Sequence, residues 1–124
     1  MKIKNAKIEN ATINFFGPDN LSARLEFAYS KGSQHWSFRM TKPTDVQRFM
    51  KLREYVEAEN VEEMNGKIVR IVSFSDHFQG FGHPLEDKFI YCGHKEVMDV
   101  KELTESELKV EIEVAHGMVQ PKKD

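Results

Sequence analysis

The sequence predicts an α+β domain, an antiparallel sheet of about five to six strands with one main helix packed on it, in the order β-β-β-α-β-β-β. Three observations carry this. Leu21, Ala23, Leu25, Phe27 and Tyr29 alternate with Ser22, Arg24, Glu26 and Ala28, the period of a strand with one buried face. Val46, Phe49, Met50, Leu52 and Val56 recur at helical spacing. Lys67 to Phe74 (KIVRIVSF) is a short apolar run, as in a strand covered on both faces.

Each element follows in turn. Lys2 to Phe15 has apolar Ile3, Ala6, Ile8, Ala11, Ile13 and Phe15. The alternation slips between Ile3 and Ala6 and again between Ile8 and Ala11, which predicts a bulged strand or two short ones. Gly17-Pro18-Asp19-Asn20 has turn composition. After the clean strand, Ser30-Lys31-Gly32-Ser33 suits a hairpin loop, and Trp36, Phe38 and Met40 form its partner with their side chains on the buried face. Thr44 with Gln47 reads as a capping box opening the helix, with Asp45 in its first turn. Arg48, Lys51 and Glu54 are expected on its solvent side. Asn60 to Met64 suits a further short helical turn, ended by Asn65-Gly66. Leu108, Val110, Ile112 and Val114 alternate with charges, which predicts a closing edge strand. That alternation is set above a second capping-box pattern, Thr104-Glu105-Ser106-Glu107.

With 124 residues the chain is expected to be one domain, residues 1–119, followed by a tail at 120–124. Hydrophobic residues at 40% and charged residues at 31% suit a folded soluble protein with its own core. A net charge of −2 gives no global field for nucleic acid, so any anion site must be a local patch. The single Cys92 excludes an internal disulfide and fits a reducing, cytoplasmic setting. No apolar run approaches the ~20 residues of a membrane span. The start MKIKNAKIEN lacks the apolar core of a signal peptide.

The segment FQGFGHPLEDKF, Phe78 to Phe89, concentrates the residue types of an active site. His83 and Asp87 are candidates for a base and its orienting carboxylate, with Glu86 a candidate acid. No nucleophile motif accompanies them, and Gly80-Phe81-Gly82 lacks the following helix of a phosphate site. The plainer reading is a further strand or turn, a strand-to-turn exit in which the glycines permit unusual φ, Pro84 fixes the exit, and Glu86 and Asp87 meet Lys88. Asp76, His77, His83, Asp87, Cys92 and His94 are ligand types for zinc, but without paired-ligand spacing they predict no metal.

Arg39, Lys42, Arg48, Lys51 and Arg53 flank Trp36 and Phe38 and can make a cationic patch for a nucleotide if the aromatics are exposed. Arg70, inside an apolar strand, must be paired. An internal carboxylate is its expected partner and a bound phosphate the alternative. Glu57, Glu59, Glu62 and Glu63 form an acidic run, solvated or facing a basic protein.

The opening KIKNAKIENATI, then Asn65-Gly66-Lys67 into IVRIV, then Gly82-His83-Pro84-Leu85-Glu86-Asp87-Lys88-Phe89, resembles a family of small phage and prophage proteins. Its members look like an "AKIE-T" strand, a glycine-rich hairpin, a helix, "L-GKY-RV" and a closing "IGH-LEDKW". The resemblance covers roughly residues 2 to 90. Here the hairpin is the leaner SKGSQHWSF, and residues 93 to 124 extend beyond the usual end. The resemblance implies a non-enzymatic counter-defence protein of the host cytoplasm, without a cofactor. One implied mechanism is a sponge for a nucleotide immune signal, as in anti-Thoeris and anti-CBASS proteins, with Arg48, Lys51, Arg70, Phe81 and His83 as contacts. The other is an anti-CRISPR-type inhibitor that grips a host nuclease complex, through the acidic run or the Leu108–Val114 edge. That edge also offers a route to homo-oligomers. A small enzyme built on His83, Glu86 and Asp87, or a nucleic-acid-binding accessory protein, are the remaining classes.

Overall fold

In the computed structural model the described residues are 1–15, 17, 20–93 and 100–117. They form β1 (Lys2–Phe15), β2 (Leu21–Tyr29), β3 (Gly32–Arg39), α1 (Pro43–Tyr55), α2 (Val61–Met64), β4 (Ile68–Phe74), β5 (His77–Gly82), β6 (Phe89–Tyr91) and α3 (Glu105–Ala115). The six strands make one antiparallel sheet in the order β3-β2-β1-β4-β5-β6. The expected α+β class, with one main helix on the sheet, is what the chain adopts.

The sheet curls until its first strand faces its fifth. Trp36 of β3 meets Phe78 of β5 at 4.6 Å between ring centroids, and Phe38 meets Phe81 at 6.3 Å. The Gln34 amide donates to the Asp76 carbonyl at 3.0 Å across the same gap. The concave face carries Ala6, Ile8, Ala23, Leu25, Phe27, Val69 and Ile71, all buried. Helix α1 closes this trough, with Phe49 on Phe38 and Tyr55 on Phe81. Fully burying each Val, Leu, Ile or Phe side chain here contributes about 1.5–3 kcal/mol, so this layer is the main source of stability.

β1 slips once, not twice. The register shifts between Glu9 and Thr12, where Asn10 has φ 50°. Ile3 is no bulge. It lies on the other face, against the second apolar cluster of Val72, Phe89, Tyr91, Leu108 and Ile112. β4 therefore feeds both cores, as its apolar run predicted.

The Leu108–Val114 edge strand is corrected: these residues are in α3. Thr104 and Glu107 form a reciprocal capping box, with Glu107 N–H donating to Thr104 Oγ1 at 3.2 Å and Thr104 N–H to Glu107 Oε1 at 2.9 Å. The Asp87 carboxylate accepts from Glu105 N–H at 2.7 Å, satisfying another open helix donor. Only Leu108 and Ile112 are buried. They lie four apart, a spacing that fits one helix face as well as alternate strand positions. The sixth strand is Phe89–Tyr91 instead. Its outer edge bridges to Leu103 through two backbone bonds of 2.8 Å.

Helix α1 also begins earlier than the Thr44 capping box predicts. Lys42 is its N-cap, and Pro43 takes the first helical position, where its missing N–H is harmless. Asp45 is in the first turn as expected and also accepts from Arg39 N–H at 2.9 Å, tying β3 to the helix. Arg48 is buried, not solvent-facing, beside Asp45 at 3.4 Å. The short turn α2 is capped by Asn60, whose side chain accepts from Glu63 N–H. No helix of the described residues is long and apolar enough to cross a membrane.

Candidate functional site

The His83–Lys88 turn leaves β5 and enters β6, and most of its side chains are engaged within the chain. Arg70 reaches out of β4 beneath it. Its Nε donates to the His83 carbonyl at 2.7 Å and its Nη2 to the Glu86 carbonyl, while the guanidinium lies 4.6 Å from the Phe89 ring centroid. The expected carboxylate partner is thus replaced by two backbone carbonyls. Sequence reading misses this because a backbone acceptor has no residue identity.

His83 Nδ1 accepts from the N–H groups of Leu85 and Glu86, at 3.1 and 3.0 Å. A neutral imidazole has one accepting nitrogen, so the proton sits on Nε2, 4.0 Å from Glu86 Oε2. The lone pair a general base would use is occupied. Asp87 does not orient His83, because it caps α3. Glu86 pairs with Lys88 at 3.0 Å, which holds the Glu86 carboxyl below the usual range.

The glycines act differently from the turn reading. Neither Gly80 nor Gly82 has a left-handed φ. Each is in β5, and a Cβ on Gly80 would stand 2.2 Å from the Ile90 carbonyl oxygen. A Cβ on Gly82 would stand 2.4 Å from the Phe89 ring. They permit close approach of β6 rather than unusual backbone angles. Phe81, between them, is 0% exposed and packs on Phe38 and Tyr55, so it offers no face to a base.

Of the five expected ligand contacts, the structure links four. Tyr55 joins Phe81 and His83 by ring contacts and donates its hydroxyl to Glu102 Oε2 at 3.0 Å. Lys51 donates to Glu102 Oε1 at 3.0 Å and lies 3.5 Å from Glu54. Arg70 joins through the His83 carbonyl. Arg48 stands apart from these contacts, beside Asp45. Glu102 is the group sequence reading missed. Its only signal was a lone carboxylate in a charged linker.

The Lys51 bond holds the Glu102 carboxyl below its ordinary value, and the Glu102 carboxylate holds the Lys51 ammonium above its own. Burial, followed by the bond to Glu102, raises the Tyr55 hydroxyl. A lowered carboxyl stabilises the fold above its unfolded value near 4.5 and loses that contribution as pH falls through the folded value. A raised ammonium stabilises below 10.5 and loses its contribution as pH rises through the folded value. Glu102→Gln is therefore expected to flatten the stability–pH curve at both ends. Urea midpoints across the pH range check this, and unchanged acid and alkaline limbs would refute the pairing.

Of the remaining cationic patch, Arg53 is engaged within the chain. Arg53 donates to the Ala58 and Glu59 carbonyls, at 3.4 and 3.2 Å, closing the end of α1. Arg39 and Lys42 are exposed. Trp36 packs on Phe78. Among the described residues no three of His, Cys, Asp and Glu converge on a metal position, and His94 lies outside those residues. Burial pushes the Cys92 thiol up to about 12. Native protein is expected to resist maleimide at neutral pH and to react fully in denaturant. Labelling followed by mass spectrometry checks this, and rapid native labelling would contradict it.

A different surface remains open. β1 pairs with β4 only from Lys2 to Lys7, yet continues against β2 to Phe15. Ala11 N–H turns to the Asn65 side chain at 2.9 Å. Beyond it, the outer side of Thr12–Phe15 meets no strand among the described residues. Ile13 and Phe15 are 48% and 69% exposed there. A groove of about 610 Å³ runs between this edge and α2, lined by Ala11, Thr12, Ile13, Asn60, Val61 and Glu62. The acidic run and an open strand edge thus adjoin, though the edge belongs to β1 and not to Leu108–Val114.

No family model, curated protein or solved structure matches this chain.

Proposed function

We propose that this chain is a non-enzymatic binding protein, of the phage counter-defence kind its sequence resembles, and that it holds a protein of the host defence rather than a nucleotide. The observation that carries the reading is the outer side of β1 at Thr12–Phe15, which meets no strand among the described residues. That open side and the exposed Ile13 and Phe15 suit an added strand from a partner, main-chain bonds giving affinity and side-chain pockets giving specificity. Glu62 on the far bank favours a basic segment in that partner.

The internal engagement of the other candidates supports the same choice. A phosphate at Lys51 would compete with Glu102 and Glu54, and one at Arg70 with two carbonyls. A base would have to open the core to stack on Phe81. For an enzyme, the His83 lone pair and the Asp87 carboxylate are both committed to backbone amides.

The test is affinity capture from lysate of defence-activated bacteria, with Ile13→Asp/Phe15→Asp as control. A host protein retained by the parent and lost by the control is expected. In parallel, small molecules released on denaturing the captured protein are weighed. An intact nucleotide signal coming off, with no protein retained, would replace this reading with the sponge.

A further inference from the structure

The His83–Lys88 turn displays one residue with unusual freedom. Leu85 is 90% exposed, the most exposed large apolar side chain among those described. Its backbone, by contrast, is fixed. Leu85 N–H and Glu86 N–H both bond to His83 Nδ1, and Arg70 holds the His83 and Glu86 carbonyls. An apolar residue on a polar turn of this kind loses little backbone entropy on docking, which is the advantage of a pre-organised anchor.

Beside this knob lies a hole. A groove of about 490 Å³ is lined by Val56, Ile68, Pro84 and Leu85 itself together with polar residues, Glu57 and Lys67 among them. Ile68 is 48% exposed there. Neither Glu57 nor Lys67 makes an ion pair with another described residue. Knob, hole and two opposite unpaired charges thus sit in one patch.

An isologous interface requires that a single patch be its own complement. Here it is. We propose that a second copy of this chain occupies the groove: the protein forms a two-fold dimer in which Leu85 of each protomer enters the Val56/Ile68/Pro84 groove of the other. Glu57 of one protomer then meets Lys67 of its partner, and the two-fold repeats that pair. Burial of both leucines supplies the apolar gain, and the charge pairs fix the orientation. No residue of this patch lines the β1 groove, so dimer formation leaves the proposed partner edge untouched.

Sedimentation of the full chain over a concentration series tests this. The parent is expected to show a reversible monomer–dimer equilibrium. Leu85→Asp is expected to weaken it at least about tenfold while leaving the melting temperature unchanged at concentrations where the parent is monomeric, since Leu85 is 90% exposed in its own protomer. Glu57→Lys and Lys67→Glu are each expected to weaken the dimer, and the two together to restore it. A monomer at every concentration up to about 1 mM overturns the proposal. So does a dimer indifferent to Leu85→Asp, or one in which the paired charge reversal fails to recover what the single reversals lose. Protein capture at the β1 edge is read separately, with Ile13→Asp/Phe15→Asp, so either result can fail alone.

Discussion

Gly80→Ala is expected to destabilise the protein by about 3 kcal/mol, the upper end of the range for overpacking a filled core. The new methyl would stand 2.2 Å from the Ile90 carbonyl oxygen and 3.3 Å from the Ile90 carbonyl carbon and the Tyr91 Cα. All three are backbone atoms, so no rotamer change relieves the clash. The strand pair β5–β6 must separate instead, at Gly80↔Tyr91 and Phe81↔Ile90. Displacing β6 carries Phe89 and Tyr91 away from Leu108 and Ile112, so α3 loosens with it. Urea unfolding and calorimetry check this, with a melting temperature lower by about 10 °C. Gly66→Ala is the contrast. Gly66 has φ 86° and open space about its Cβ position, so its cost is conformational alone, about 1 kcal/mol. Equal small losses at both sites would refute the close-approach account of Gly80.

The two glycines show where sequence reading reaches its limit. A glycine is needed either for a φ that side chains avoid or for space that a side chain would fill, and the letter is the same. FQGFGHP was legible as a strand passing into a turn, and Phe78–Gly82 does lie in β5, but its glycines serve the strand packing rather than the turn. Strands with a sharp period of two were legible because burial of one face dictates the pattern, as in Leu21 to Tyr29. The bulge near Asn10 was legible as a slipped period. Leu108 to Val114 misled because Leu108 and Ile112 satisfy a period of two and a spacing of four together. The capping box at Thr104 and Glu107 separates the cases, since it satisfies orphan donors only a helix possesses. Local cap chemistry there outweighs alternation. Thr44 is the reverse example: a good capping residue displaced by Pro43, which fixes the helix start four residues after Arg39, the end of β3.

The site was legible in composition but not in role. His83, Glu86, Asp87 and Lys88 are neighbours in sequence, and Arg70 reaches the same turn from β4, which no local spacing indicates. What they contact is mostly backbone: Arg70 two carbonyls, His83 two amides, Asp87 one amide. Polar side chains near a turn have unpaired backbone groups within reach, and a buried or half-buried backbone group left unpaired costs as much as a lost hydrogen bond. The same residue types that make acid–base chemistry are those that satisfy such groups. Glu102 illustrates the long-range part of the problem, since its partners Lys51 and Tyr55 lie about fifty residues away and nothing local announces them.

The second large effect is expected at Arg70. Arg70→Met keeps the length of the side chain and much of its contact with Phe89, but leaves the His83 and Glu86 carbonyls without their donor. Charge-assisted hydrogen bonds of this kind contribute about 1.5–3 kcal/mol, and Arg70 is half-buried, so water replaces only part of the loss. A destabilisation of about 2 kcal/mol is expected. Arg70→Lys should recover little of it, because a single ammonium cannot present the planar fork that reaches two carbonyls. The effect should also be local before it is global. Amide exchange at Leu85 and Glu86, slow while both N–H groups face His83 Nδ1, should quicken in Arg70→Met well below the unfolding transition. An arginine kept for binding phosphate predicts the opposite: the variant would lose anion affinity while stability and exchange stayed as they were. The measurement therefore decides whether this cation holds the turn or waits for a ligand, and its answer governs how rigidly Leu85 is displayed.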